Sequence, residues 1–229
     1  MELLFVHGAL VRDGAWWWQP TAALLREQTG IESRSLALPS CGETASRGGL
    51  HEDAAALREA LDRGGDTIVV GHSYGGTVVA EAGQHPAIAR LLYISSYLPD
   101  VGQAQAAIMS GESDPVSIAD LGDGTLGLAG YDAASFGARF MQDADAAAVS
   151  GGWDRVAPQS AEAFITPTSA AGWQGIDSTY LVCGQDRSTS VALQREHAAR
   201  AMRSVELPTG HHPFISRPDL VVEQLRRLL

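Results

Sequence analysis

Thr67-Ile68-Val69-Val70-Gly71-His72-Ser73-Tyr74-Gly75-Gly76-Thr77-Val78-Val79 is the stretch that decides how this chain folds. Its first four residues are an apolar run, three of them aliphatic and the first β-branched like its neighbours, which reads as a strand buried on both faces. Gly71 to Gly76 form a glycine-bounded turn, and residues 77–83 continue as a helix. A sharp strand-to-helix turn with a serine at its apex needs small neighbours, because adjacent Cβ atoms would collide with the strained backbone there.

The same alternation extends along the chain. Leu3-Leu4-Phe5-Val6 is a second buried strand, closed by His7-Gly8. A helix is expected over residues 15–29, with Gly30 as its stop. A strand over 31–38 and a helix over 50–63, ended by Gly64-Gly65, come next. Strands follow at Leu91-Leu92-Tyr93-Ile94, at Thr179-Tyr180-Leu181-Val182 and at 204–207. Helices are expected over 191–202 and 218–229, the latter opening on Pro218. This order predicts an α/β chain with about six mostly parallel strands flanked by helices. Between about 98 and 175 the texture changes to Ala, Gly, Asp and Ser, with weak periodicity and one or two helices over 133–149. Phe136, Phe140, Met141, Trp153, Phe164 and Trp173 give that stretch apolar anchors, so it reads as an inserted lid within one domain spanning 1–229, not as a linker.

Bulk properties narrow the function. With 229 residues and 45% hydrophobic content, a sizeable core is available without metal or disulfide staples. The formal net charge of −11 leaves no cationic excess to meet a phosphate backbone or an anionic membrane, so neither is an expected partner. No apolar stretch is long enough to span a bilayer. The first residues carry no basic or long apolar leader, so a cytoplasmic location is expected. Cys41 and Cys183 make no C-x-x-C spacing and are expected to be reduced thiols. No motif asks for a metal or a cofactor.

Gly71-His72-Ser73-Tyr74-Gly75 fits G-x-S-x-G in the strand-turn-helix context of a nucleophile elbow, so Ser73 is the candidate nucleophile. A serine hydroxyl needs a base within hydrogen-bond reach. Of seven histidines, His7 and His72 flank glycines in turns, and His51, His85 and His197 fall in or beside helices with solvent exposure expected. His211 and His212 lie between the last strand and the last helix, where the base belongs in the order serine, acid, histidine. His211 is preferred, because it follows Gly210 and precedes Pro213-Phe214, with His212 as the alternative. Asp186, just past the strand 179–182, is the candidate acid that would orient the histidine, and Asp100 competes with it. The backbone N–H groups of Tyr74 and Ala9 are the candidate oxyanion-hole donors. Trp16-Trp17-Trp18 cannot all face one way on a helix. They read as core or lid contacts, one of them available to a pocket.

These residues resemble the small α/β-hydrolases that include bacterial esterases, plant methylesterases and plant hydroxynitrile lyases. The resemblance rests on five stations in order: Val6-His7-Gly8-Ala9, Gly71-His72-Ser73-Tyr74-Gly75-Gly76, Tyr97-Leu98-Pro99-Asp100, Thr179 through Cys183-Gly184-Gln185-Asp186-Arg187, and Gly210-His211-His212-Pro213-Phe214. It implies the α/β-hydrolase fold with six strands and a lid, Ser73, Asp186 and His211 as a triad, and Ala9 and Tyr74 at the oxyanion hole. The resembling lyases carry threonine where Gly8 stands and lysine where His212 stands, which argues against cyanohydrin cleavage. The loop 10–14 looks longer than usual, and Arg12 is within reach of a pocket mouth.

The expected reaction is therefore hydrolysis of a small carboxylic ester through an acyl-enzyme, on a small-molecule substrate, by a chain that could form a homodimer. Two alternatives stand beside it. One is a lyase, cyclase or cofactor-free oxygenase on the same scaffold. The other is a non-catalytic binding module, since a fold does not fix a function.

Overall fold

The computed structural model describes residues 1–41 and 48–229. Along the chain run β1 Glu2–Val6, α1 Gly14–Thr29, β2 Ser33–Leu36, α2 Leu50–Asp62, β3 Thr67–His72, α3 Gly75–Ala82 and β4 Ile88–Ile94. Then come α4 Gln105–Ser110, β5 Ile118–Asp120, β6 Thr125–Leu128, α5 Ala133–Phe140, α6 Ala146–Trp153, β7 Gln159–Ser160 and α7 Glu162–Ile165. The chain closes with β8 Ser178–Cys183, α8 Val191–Ala198, β9 Arg203–Leu207, α9 Pro213–Ser216 and α10 Pro218–Arg226.

Six strands form one sheet in the order β2-β1-β3-β4-β8-β9, and every pairing is parallel. A parallel sheet is covered on both faces, so its strands are apolar on both. Leu4, Val6 and Val69 point into one core with α2, α3 and α8; Leu3, Phe5, Ile68 and Val70 point into the other with α1 and α10. In the second core the Trp18 ring stacks on Phe5 at 4.5 Å between centroids and lies 4.0 Å from Phe214. Helix α1 starts at Asp13, whose carboxylate accepts from the Trp16 N–H at 3.3 Å, and stops at Gly30, in the left-handed region at φ 73°.

The order carries a functional consequence. From β1 the chain goes to β2 on one side and then to β3 on the other, so the direction of winding reverses between β1 and β3. Ligands in open α/β sheets bind beyond the carboxyl ends of the strands at such a point.

Sequence and structure differ mainly between β4 and β8. The sequence suggests no strand there. The structure has a three-stranded antiparallel sheet, β5-β6-β7, beside α4 to α7. These strands have three, four and two residues, too short to show an alternation. The helical stretch 133–149 is two helices, α5 and α6, each started by an aspartate: Asp132 accepts from the Ser135 N–H and Asp145 from the Ala148 N–H, both at 2.8 Å. The segment is stitched to the loops after β1 and β2 by bridges pairing Val11 with Val156 and Cys41 with Gln159. Among the described residues no helix is long and apolar enough to cross a membrane.

Candidate active site

All six residues of β3 are buried, and the backbone turns at Ser73 with φ 50°, the left-handed region that costs a non-glycine residue on the order of 1–3 kcal/mol. Four hydrogen bonds hold it there. The Ser73 N–H donates to the Ile94 carbonyl at 3.3 Å. The Ser73 carbonyl accepts from Ser96 Oγ at 2.8 Å and from the N–H groups of Gly76 and Tyr97 at 3.1 and 3.3 Å. The glycines are required by contact: a Cβ on Gly75 would lie 2.5 Å from the Val6 carbonyl oxygen, and one on Gly76 would overlap the Tyr97 carbonyl oxygen. A Cβ on Gly8 would sit 3.0 Å from His72 Nδ1 and 3.2 Å from Ser73 Cβ, so the loop after β1 touches the turn after β3.

Asp186 follows β8 and His211 follows β9, and the structure brings them together. His211 Nδ1–H donates to Asp186 Oδ2 at 2.7 Å. The same oxygen accepts from Ser95 Oγ at 2.5 Å and from Gln194 Nε2 at 3.0 Å, while Oδ1 accepts from the N–H groups of Ser188 and Thr189 at 2.7 and 3.1 Å. Burial alone would raise the Asp186 pKa, but the His211 charge and these donors outweigh it and hold the carboxyl below its usual range. With Nδ1 committed to Asp186, Nε2 of His211 is the ring's remaining acceptor. The His211 carbonyl accepts from His72 Nε2–H at 3.0 Å, which ties the residue beside Ser73 to the loop carrying His211.

The competing candidates lie elsewhere. Asp100 pairs with Arg200 at 3.2 Å, half-exposed. His212 turns away from the acid: its Nδ1–H donates to the Phe140 carbonyl at 2.9 Å, its ring lies 5.0 Å from Trp17, and burial, then the His211 charge, push its pKa down to about 3. Arg12 donates to the Asp154 carbonyl at 2.9 Å. His197 departs from the sequence expectation of exposure. It is 3% exposed and its Nδ1 accepts from the Leu98 N–H at 3.1 Å, pinning the segment after β4 to α8. His7 and His72 do hold backbone, donating to the carbonyls of Gly8 and His211. Ser95 is the residue sequence reasoning missed. It sits at the end of β4, next to the strand that carries the acid, with Oγ 3.2 Å from His211 Nδ1 as well as on Asp186.

Among the described residues, His72, His211 and His212 are the group that could be asked to hold a metal, one ring nitrogen of each lying within 4.8 Å of the others. Tetrahedral zinc, with bonds of ~2.0–2.1 Å, needs ligand nitrogens roughly 3.3 Å apart. The three rings instead pack against one another with centroids 4.5 to 4.9 Å apart, and one nitrogen of each is committed to a carbonyl or carboxylate.

A cavity of about 70 Å³, open at its mouth, lies against His72 and His211. Gly8 and Ala9 form part of its wall, and Trp17, Tyr97, Met109, Phe136, Phe140 and Phe164 make much of the rest. Among the described residues no Lys, Arg, Asp or Glu lines it. Trp17 is the member of the tryptophan triplet that reaches it. Trp18 is core, and Trp16 lies beneath the Arg155 guanidinium at 4.4 Å. The Tyr74 side chain is fully buried, its hydroxyl donating to Asp53 Oδ2 at 2.8 Å.

Known proteins share this architecture. A carbendazim hydrolyzing esterase from Nocardioides sp. is 26% identical, covering 99% of each chain. An alpha/beta hydrolase, nvfD, from Aspergillus novofumigatus is 26% identical over 212 residues, 85% of this chain and 84% of its own. The crystal structure of a pyrethroid hydrolase from Sphingobium faniae superposes with a TM-score of 0.82 at 24% identity, covering 100% of this chain and 96% of the other, a likeness of fold. The model of the alpha/beta hydrolase family matches residues 3–224, nearly the whole length, and the chain belongs to that family.

Proposed function

We propose that this enzyme is a serine hydrolase that cleaves small, uncharged carboxylic esters through an acyl-enzyme on Ser73. The observation that carries the reading is the Asp186–His211 hydrogen bond of 2.7 Å at the edge of an apolar cavity, tied through His72 to the turn that bears Ser73. In this mechanism His211 Nε2 takes the Ser73 proton as Oγ attacks the ester carbonyl. Asp186 holds the ring and stabilises the imidazolium. The N–H groups of Ala9 and Tyr74 receive the oxyanion. His211 then protonates the departing alcohol, and in the second half it draws a proton from the water that cleaves the acyl-enzyme. The segment between β4 and β8 serves as the lid, since Met109, Phe136, Phe140 and Phe164 roof the cavity. With no charged side chain among its described lining residues, the cavity offers a substrate carboxylate or ammonium no partner from them, and burying an unpaired charge is costly, so neutral esters are favoured.

The test is turnover of p-nitrophenyl esters of rising acyl length by wild type and Ser73→Ala. Loss of orders of magnitude in the variant supports the acyl-enzyme. Folded wild type that turns over no ester would overturn simple esterase chemistry and favour a lyase or cyclase.

A further inference from the structure

A chain of buried hydrogen bonds runs from the loop after β1 to the residue after Ser73. The Leu10 N–H donates to Gln159 Oε1 at 2.9 Å, and Gln159 Nε2 donates to Ser40 Oγ at 2.9 Å. Ser40 Oγ donates to Asp53 Oδ2 at 2.5 Å, and its N–H to Oδ1 at 2.8 Å. The Tyr74 hydroxyl donates to the same Asp53 Oδ2 at 2.8 Å. Gln159, Asp53 and Tyr74 are 0% exposed, and Ser40 and Leu10 5%. Five segments of the chain thus meet in one polar thread: the β1 loop, the turn at Ser40, α2, the elbow, and β7 of the inserted segment.

An isolated carboxylate in a core is costly, and apolar packing of similar volume serves stability as well or better. The arrangement of this thread says what it does instead. Its two ends, the Leu10 N–H and the Tyr74 hydroxyl, belong to the residue after Ala9 and to Tyr74 itself, whose backbone N–H groups are proposed above to receive the oxyanion. Leu10 follows Ala9 and is held in the left-handed region at φ 59°. Its N–H is taken by Gln159 and its carbonyl by the Ala157 N–H at 2.9 Å, so the edge of the inserted segment grips it on both sides. Tyr74 is gripped through its hydroxyl at the other end. Donors to an oxyanion work only when their spacing is fixed in advance, to within about half an ångström.

We propose that Gln159, Ser40 and Asp53 are positioning residues that set the distance between the Ala9 and Tyr74 N–H groups, so that the inserted segment, through β7, is part of the oxyanion-hole apparatus. This rests on the acyl-enzyme reading of Ser73. None of the three touches the reacting atoms; they act through Leu10 and the Tyr74 side chain.

Gln159→Leu removes the acceptor for the Leu10 N–H, Tyr74→Phe removes one hydroxyl while leaving the Tyr74 N–H in place, and Ser40→Ala breaks the middle of the thread. Each is assayed for kcat and KM on a neutral p-nitrophenyl ester, for inhibition by an apolar trifluoromethyl ketone whose serine adduct carries an oxyanion, and for thermal midpoint. The expected result is a fall in kcat of about tenfold, a fraction of the 10²–10³ lost with a whole donor. KM should stay within about twofold, the ketone Ki should rise by the factor that kcat/KM falls, and the Gln159→Leu/Tyr74→Phe pair should be no worse than its worse member. Unchanged kcat and Ki alongside a lowered thermal midpoint would overturn the proposal and leave a purely structural network. So would a fall in kcat without a matching rise in Ki. If Gln159→Leu does not fold, Tyr74→Phe, which removes a single hydroxyl, decides alone. Ser73→Ala is run beside them: wild-type turnover in that variant would overturn the acyl-enzyme reading itself, whereas its loss with unaffected thread variants would overturn only this inference.

Discussion

Lowering the pH from 7.5 to 5.0 should cost this protein about 3 kcal/mol of stability or more, and the buried imidazoles set that figure. His212 has its pKa pushed down to about 3 and His197 to about 4, in both cases first by burial. The unfolded chain binds a proton on each at the ordinary 6.5, so below that pH the unfolded state takes up protons that the folded state refuses. Each such group then removes about 1.4 kcal/mol per pH unit until its folded pKa is reached. Over the 1.5 units between 6.5 and 5.0 that is about 2 kcal/mol each, about 4 together. Asp53 works the other way. Its pKa is raised to about 6 by burial, so the folded state is protonated first and gains about 1 kcal/mol by pH 5.0. His72, held well below 6.5 by burial and by His211 and His212, adds to the loss. Asp186, with its pKa lowered, loses its contribution only below the ordinary carboxylate range, outside this window. The assay is urea unfolding followed by tryptophan fluorescence at pH 7.5 and 5.0, for wild type and His212→Asn. Whatever the variant costs at pH 7.5, its loss between the two pH values should be about 2 kcal/mol smaller than that of wild type. Equal losses in the two proteins would refute the assignment of His212 as a buried neutral imidazole.

Other outcomes follow from the same geometry. Asp186→Asn leaves the His211 ring without its carboxylate and should lower kcat for ester hydrolysis by about 10⁴, the scale seen when a triad aspartate is replaced; a loss under tenfold would count against the role. Asp100→Asn, at the surface beside Arg200, should leave kcat/KM within about twofold, and a large loss would move the acid there. Trp18→Ala empties the space between Phe5 and Phe214 and should destabilise by about 3–5 kcal/mol in urea titrations. Both thiols are buried, and burial pushes Cys41 up to about 12 and Cys183 well above its ordinary value. A disulfide reagent should therefore label neither in the folded protein and both in urea; rapid labelling at pH 7.5 would contradict the packing.

The parallel sheet was legible because Leu3–Val6, Thr67–Val70 and Thr179–Val182 are apolar on both faces and each is followed by a glycine-bearing turn. Their carboxyl ends carry Gly8, Ser73 and Asp186, so the order of the strands and the order of the candidate residues are read together. Ser95 escaped because a serine after a strand belongs to no motif, and only the adjacency of β4 and β8 gives it meaning. Asp53 and Gln159 escaped for a related reason. Asp53 lies in the first turn of a helix with the composition of an exposed segment, and its burial depends on Ser40 and Tyr74 arriving from elsewhere. His197 fails in the same way: its helix shows no clean apolar stripe, and the Leu98 N–H that it accepts is supplied 99 residues away. Local pattern reports the sheet well and long-range polar pairing hardly at all.

The segment between β4 and β8 leaves and re-enters the sheet at neighbouring strands. Leu91 pairs with Ser178, and the Ser95 N–H still reaches the Leu181 carbonyl at 3.1 Å. Its ends are therefore fixed side by side whatever lies between, so this stretch behaves as an exchangeable cassette whose length and lining can drift while the strands bearing Ser73, Asp186 and His211 stay in register. The exchange has two boundaries. Residues 155–160 are sewn to Leu10 and Ser40, and residues 140–143 to the loops after β8 and β9, where the Phe140 carbonyl accepts from His212, Asp143 from the Gly210 N–H, and Gln142 donates to the Gln185 carbonyl, so a cassette transplanted from a relative must keep both hems.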